Sequence, residues 1–270
     1  MLNTSLLTNI RHEKPLVHCI TNIVVANFQA NGLLALGASP IMADAVEEVE
    51  EMASISSAVV LNIGTLNSFT VESMLKAGKA ANLANIPVVL DPVGAGATHY
   101  RKKVVHHLLQ EINVSAIRCN AGELASIAGI DWSARGVDAG SGDTDVKNIA
   151  LQVARNYNTT IAVTGEVDYI TDGTTMVEIR NGHPFMPMVT GTGCLLSGIT
   201  GAFLAVNHSE SCLESIATSV TCYGIAGEIA AKHADGPGNF YIQFLNTLHS
   251  LTEEDVRSYA KISWNKETVQ

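Results

Sequence analysis

Residues 87–96 read Pro87-Val-Val-Leu-Asp-Pro-Val-Gly-Ala-Gly96. The first four are apolar without alternation, the pattern of a strand covered on both faces. An aspartate follows at once, and a Pro/Gly turn after it. Working outward, similar apolar runs recur at 16–20, 40–43, 58–63, 116–119 and 160–164. Ala/Leu-rich or amphipathic stretches at 46–55, 69–84, 101–112 and 146–157 read as the intervening helices. Strand–helix alternation implies βαβ units on a central, mostly parallel sheet, and therefore an α/β fold. The rhythm then changes. Segments 168–171 and 175–179 flank Asp172-Gly173 and read as a hairpin. Beyond it only helices are expected, at 193–206, 213–233 and 240–249. No linker divides the chain, so residues 1–270 read as one domain. The longest irregular piece, 131–144, reads as a surface connection.

The 270 residues are 47% hydrophobic and 16% charged, with a mean hydropathy of +0.21. A large core is available, and so few charges fit a surface partly covered in an oligomer. A net charge of −10 argues against a nucleic-acid or anionic-membrane partner. Five cysteines without CxxC spacing argue against a disulfide framework or structural zinc, and fit a reducing cytoplasm. No signal peptide is legible at the N-terminus. Segment 181–209 lacks formal charge, but two prolines and, after Gly182, four more glycines interrupt it. Its apolar helical part is shorter than the ~20 residues a membrane span needs.

In a parallel sheet, ligands gather at the C-terminal strand ends. The residues there are Thr21-Asn22, Asp44, Gly64-Thr65, Asp91-Pro92, Asn120-Ala-Gly-Glu123 and Gly165-Glu166. Segment 32–37 has Walker-type glycine spacing, but Ala38 stands where lysine is required, so it reads as a helix ending at Gly37. No GxGxxG or HExxH occurs. Thr190-Gly-Thr-Gly-Cys194 is different: two glycines crowd a turn ahead of an apolar helix. The unpaired amides and positive dipole end there can hold an anion; a tight connection relieved by glycine is the other reading. Asp91 and Glu123 at one sheet edge can hold a hydrated Mg²⁺, which takes one or two carboxylates plus phosphate oxygens. Each alone reads as a cap or dipole partner. Arg118, in a buried strand, needs an anionic partner.

These pieces, in this order, resemble the ribokinase-like superfamily of small-molecule kinases. The carrying residues are Asp91-Pro92 after a strand, Asn120-x-x-Glu123, Val163-Thr164-Gly165 and the Gly-Thr-Gly turn before a helix. Within it the chain resembles the hydroxyethylthiazole kinase family, through His18-Cys-Ile-Thr-Asn22, Gly37-Ala-Ser-Pro-Ile-Met42-Ala, Leu90-Asp-Pro-Val-Gly-Ala-Gly96, Asn120-Ala-Gly-Glu123 and Gly191-Thr-Gly-Cys194. The resemblance implies a three-layer α/β/α fold without a separate lid domain. It implies transfer of phosphate from ATP to the hydroxyl of 4-methyl-5-(2-hydroxyethyl)thiazole, in a homotrimer with sites near subunit boundaries. It implies that Met42, Gly191, Asn22 and Gly64 contact the thiazole, that Arg118, Asn120 and Thr164 bind ATP, and that Asp91 and Glu123 act through Mg²⁺. Gly191, Thr192, Gly193 and Cys194 become the catalytic turn. Most relatives in the superfamily carry aspartate at position 194, so the thiol is a departure. Other ribokinase-like kinases, and an idle nucleotide-binding protein, are the competing readings; Cys194 and the His18–Asn22 stretch disfavour the first, and the set Asp91, Glu123, Cys194 the second.

Overall fold

The computed structural model describes residues 2–130, 142–208 and 211–266. The 131–144 connection therefore lies outside the described residues, apart from the first turn of the helix that begins at 142. All six apolar runs form strands: β1 (Leu16–Ile20), β2 (Ser39–Ile41), β3 (Ala58–Asn62), β4 (Val88–Asp91), β5 (Ala116–Asn120) and β6 (Thr160–Thr164). The hairpin follows as β7 (Asp168–Thr171) and β8 (Thr175–Ile179). Its loop has three residues, with Gly173 at φ +90° and the Asp172 carboxylate accepting the Thr174 and Thr175 amides.

A ninth strand corrects the expectation that only helices follow the hairpin. β9 (Ile262–Lys266) pairs antiparallel with β8, Val177 opposite Trp264. The nine strands lie in the order β2-β1-β3-β4-β5-β6-β7-β8-β9. The first six in that order are parallel and the last three antiparallel.

Eleven helices are described: α1 (Ser5–Glu13), α2 (Ala26–Leu36), α3 (Val49–Ile55), α4 (Ser68–Leu83), α5 (His99–Glu111), α6 (Ala121–Ile127), α7 (Gly142–Tyr157), α8 (Thr192–Ala205), α9 (Cys212–Ala231), α10 (Pro237–Ser250) and α11 (Glu253–Tyr259). α2 ends at Gly37, φ +111°, which settles the Walker-like spacing as a helix terminus. Side chains alternate across the sheet. Val17, Val60, Val89 and Ala162 join one apolar cluster with α2, α8, α9 and α10; Val59, Leu61, Leu90 and Ile161 join another with α4, α5 and α7. That is the expected three-layer arrangement. No described helix is long and apolar enough to cross a membrane.

α8 is apolar all round, so it can only sit inside. It is buried from Leu195 to Leu204, packed on the sheet beneath α2 and α9. Removing a fully buried ring such as Phe203 costs about 3–5 kcal/mol. This packing fixes the N-terminus of α8 over the C-terminal ends of β1, β3, β4 and β5.

Candidate active site

Parallel strands deliver Asn22, Asn62, Gly64, Asp91, Asn120 and Thr164 to one edge of the sheet. The turn into α8 descends onto them. Gly191 is its N-cap at φ +94°, where a side chain would be strained and would also meet Val25. Leu195 N–H bonds Gly191 O at 2.8 Å, and Thr192 N–H bonds Val189 O at 3.4 Å. The Gly193 and Cys194 amides stand in the first turn with no carbonyl below them in the helix. Three clamps hold the turn: Thr192 Oγ1 donates to Met186 O (2.8 Å), Tyr223 Oη donates to Thr192 O (2.6 Å), and Gln29 Nε2 donates to Cys194 O (2.9 Å).

On one side of the turn lies a cavity of about 630 Å³, lined among others by Thr164, Gly165, Asp168, Thr192, Gly193 and Tyr223. On the other lies Cys194, 9% exposed, which accepts a hydrogen bond from Asn22 Nδ2 at 3.4 Å. Asn22 also packs under Gly64, where a Cβ would stand 2.7 Å from Asn22 Nδ2. Met42 follows β2 at the same edge, half-buried against the α2/α8 side of the core. No described contact joins Met42 to Cys194.

Arg118 sits beneath the turn. A Cβ at Gly193 would stand 2.5 Å from its Nη2. The guanidinium is 7% exposed, its Nε has no partner, and its nearest carboxylate oxygen, Asp91 Oδ1, is 3.9 Å away. Burial works to depress its pKa, but Asp91 and Glu123 outweigh it and hold the group above its ordinary value. A buried, under-bonded guanidinium beside free amides is a site for a multiply charged anion.

Asp91 is fully buried. Its Oδ2 accepts Asn62 Nδ2 (2.7 Å) and Ser197 Oγ (2.8 Å), while Oδ1 has no hydrogen-bond partner. Glu123 accepts the Gly94 amide on Oε1 (2.8 Å) and the Asn120 amide on Oε2 (2.9 Å), and burial pushes its pKa up. The Asn120 side chain caps α6 in return, accepting Glu123 N–H at 2.9 Å, so the motif Asn120-x-x-Glu123 is a capping box. Among the described residues no group of three His, Cys, Asp or Glu side chains is set to hold a metal. The orphaned Asp91 Oδ1 and the two-carboxylate donor set fit Mg²⁺, which keeps most of its shell as water and phosphate oxygen.

Burial first, and the Asp91 charge second, push the Cys194 pKa up to about 11, against the pull of the Arg118 guanidinium and then of the Asn62 and Asn22 amides. Asn62, Ser197, Tyr223 and Gln29 escaped the sequence reading. Asn62 was the most findable, as the one polar residue inside the apolar run 58–63.

The sequence profile of the hydroxyethylthiazole kinase family matches residues 7–254. A curated hydroxyethylthiazole kinase of Exiguobacterium sp. is 53% identical over 244 residues, covering 90% of this chain and 92% of that protein. One from Histophilus somni is 51% identical, covering 97% and 100%. The solved structure of a hydroxyethylthiazole kinase protein from Pyrococcus horikoshii OT3 superimposes with a TM-score of 0.89 at 42% identity, covering 97% of this chain and 98% of that one. A ribokinase-like superfamily protein of Enterococcus faecalis V583 (TM-score 0.64, 12% identity, 93% and 96% covered) shares the fold. With the profile covering most of its length and relatives above 50% identity, the chain belongs to the hydroxyethylthiazole kinase family, and is a kinase.

Proposed function

We propose that this kinase transfers the γ-phosphoryl group of ATP to the hydroxyl of 4-methyl-5-(2-hydroxyethyl)thiazole, in thiamine biosynthesis and salvage. One observation supports this reading above the others. The free Gly193 and Cys194 amides and the under-bonded Arg118 lie between a cavity large enough for a nucleotide and the small Asn22–Gly64–Cys194 subsite. Thr164 and Gly165 line the nucleotide side; Arg118 takes the phosphates, with Asn120 beside them at the strand end. Asn22, Gly64, Gly191 and Met42 form the wall for the uncharged heterocycle, which needs apolar contact more than ionic pairing. We further propose that residues 1–270 act as one kinase domain in a cytoplasmic homotrimer.

Phosphoryl transfer is chiefly positioning and charge stabilisation. Amides fixed by the Thr192, Tyr223 and Gln29 clamps face the group as charge builds on its oxygens, without reorganising during the reaction. Arg118 offsets charge on the same group. Mg²⁺, which Asp91 and Glu123 would hold, neutralises phosphate oxygens when bound. Cys194, carrying its proton, is a poor base, so the alcohol keeps its own proton until late in a loose transition state. ADP release is the test, measured with this thiazole alcohol, with a hydroxymethylpyrimidine and with no acceptor. Release driven by the thiazole alone is expected. Release driven equally by the pyrimidine, or by neither, overturns the assignment.

A further inference from the structure

Four side chains form an oriented chain between the proposed metal carboxylate and the thiol. Its polarity follows from which groups can donate. A carboxylate only accepts, so Asn62 must turn its Nδ2 to Asp91 Oδ2 (2.7 Å). That leaves Asn62 Oδ1 facing the other way, where it accepts the Gly64 amide (2.9 Å) and Asn22 Nδ2 (3.0 Å). Asn22 Nδ2 then uses its second hydrogen on Cys194 Sγ (3.4 Å). Both amide protons of Asn22 are engaged, and among the described residues nothing donates to Asn22 Oδ1. Asn22 is 5% exposed and Asn62 1%, so bulk water does not scramble the arrangement.

We infer that Asn62 is a positioning residue. It orients the Asn22 amide so that Asn22 Oδ1 accepts the hydrogen bond of the substrate hydroxyl, turning an oxygen lone pair toward the phosphoryl group. An alcohol that attacks while still protonated needs such an acceptor, and the Cys194 sulfur, already receiving Asn22 Nδ2, is poorly placed to be it. The inference rests on the proposed function and assigns the orientation of its nucleophile.

A double-mutant cycle tests it. Asn62→Leu is expected to lower kcat on the thiazole alcohol about ten- to hundred-fold, with KM for ATP within about two-fold of wild type. In an Asn22→Ala background the same substitution is expected to change kcat by less than about two-fold, because Asn62 acts through Asn22. An Asn62→Leu effect of equal size in both backgrounds, or none in either, overturns the inference. If Asn62→Leu lacks the wild-type circular dichroism spectrum, Asn62→Ala, which also removes the acceptor for Asn22 Nδ2, carries the cycle with the same expectations. Iodoacetamide labelling of Cys194, followed by peptide mass spectrometry, separates this inference from the reading it rests on. Both the Asn22 and the Asn62 amides pull the Cys194 pKa down, so labelling is compared in two backgrounds: Asn62→Leu is expected to slow it about ten-fold with Asn22 present and less than about two-fold in Asn22→Ala. Labelling slowed only with Asn22 present, without wild-type turnover of the thiazole alcohol, upholds the orientation and rejects the substrate; unchanged labelling, or equal slowing in both backgrounds, rejects the orientation.

Discussion

Replacing Gly193 with alanine sets a methyl carbon 2.5 Å from Arg118 Nη2 and 2.9 Å from Nη1. Ordinary contact begins near 3.4 Å, so the guanidinium must retreat by about 0.9 Å. It is buried and cannot swing into solvent, which leaves displacement away from the turn as its route. Misplacing a phosphate-binding group by about 1 Å costs on the order of 100-fold in rate, or about 2.7 kcal/mol in the barrier. The fold suffers less. Overpacking costs about 1–3 kcal/mol, and alanine in a helix returns about 0.5–1 kcal/mol relative to glycine. Gly193→Ala is therefore expected to lower kcat/KM for ATP about 100-fold, while thermal unfolding shifts by only a few degrees. Coupled ADP-release kinetics and a thermal melt on the same preparation check both. An enzyme within about three-fold of wild type would show that Arg118 and the turn do not share the phosphate.

Gly191→Ala should fare worse in stability, since the residue sits at φ +94° against Val25; a melting temperature no lower than that of Gly193→Ala contradicts this. Cys194→Ala is expected to keep measurable turnover and Cys194→Asp to stay active; a correctly folded, ATP-binding Cys194→Asp enzyme without turnover refutes the weak-base account. With its pKa pushed up to about 11, Cys194 should label with iodoacetamide about ten-fold faster per pH unit from pH 7 upward; a plateau near pH 7 contradicts the burial argument. Asp168 carries a pH signature. Burial raises its pKa from 3.8 to about 7, although the Gly165 amide at 2.9 Å pulls it down. The folded state therefore holds more protons than the unfolded one between these values, and stability falls as pH rises through that window. Asp168→Asn should gain melting temperature over wild type at pH 8 relative to pH 5; equal differences at both reject the shift.

The α/β architecture was legible because strands buried on both faces show no alternation, and the runs around 87–90 and 58–63 are of that kind. β9 escaped for the opposite reason. It is a short edge strand whose Ile262 and Trp264 pack against the core only in part, and its partner β8 lies more than eighty residues earlier. Asp91, Glu123 and the glycine turn were legible as polar or flexible residues at strand ends. Asn62 was hidden because the apolar run extends past it to Ile63, whereas β3 ends at Asn62 itself. Ser197 and Tyr223 reach the site only through the packing of α8 on the sheet and of α9 on α8, which no local pattern encodes. Glu123 shows both sides. Its capping box is readable from four consecutive residues, but its bond to the Gly94 amide exists only once β4 and β5 are neighbours.

The central claim is direct transfer across the Gly193–Cys194 turn from nucleotide to thiazole alcohol. The measurement that tests it most directly supplies ATP made chiral at the γ-phosphorus by oxygen isotopes, and analyses the product ester. The account predicts the phosphate ester of 4-methyl-5-(2-hydroxyethyl)thiazole with inverted configuration at phosphorus. Retention, which a phosphorylated Cys194 intermediate would produce, or the absence of that ester, contradicts it.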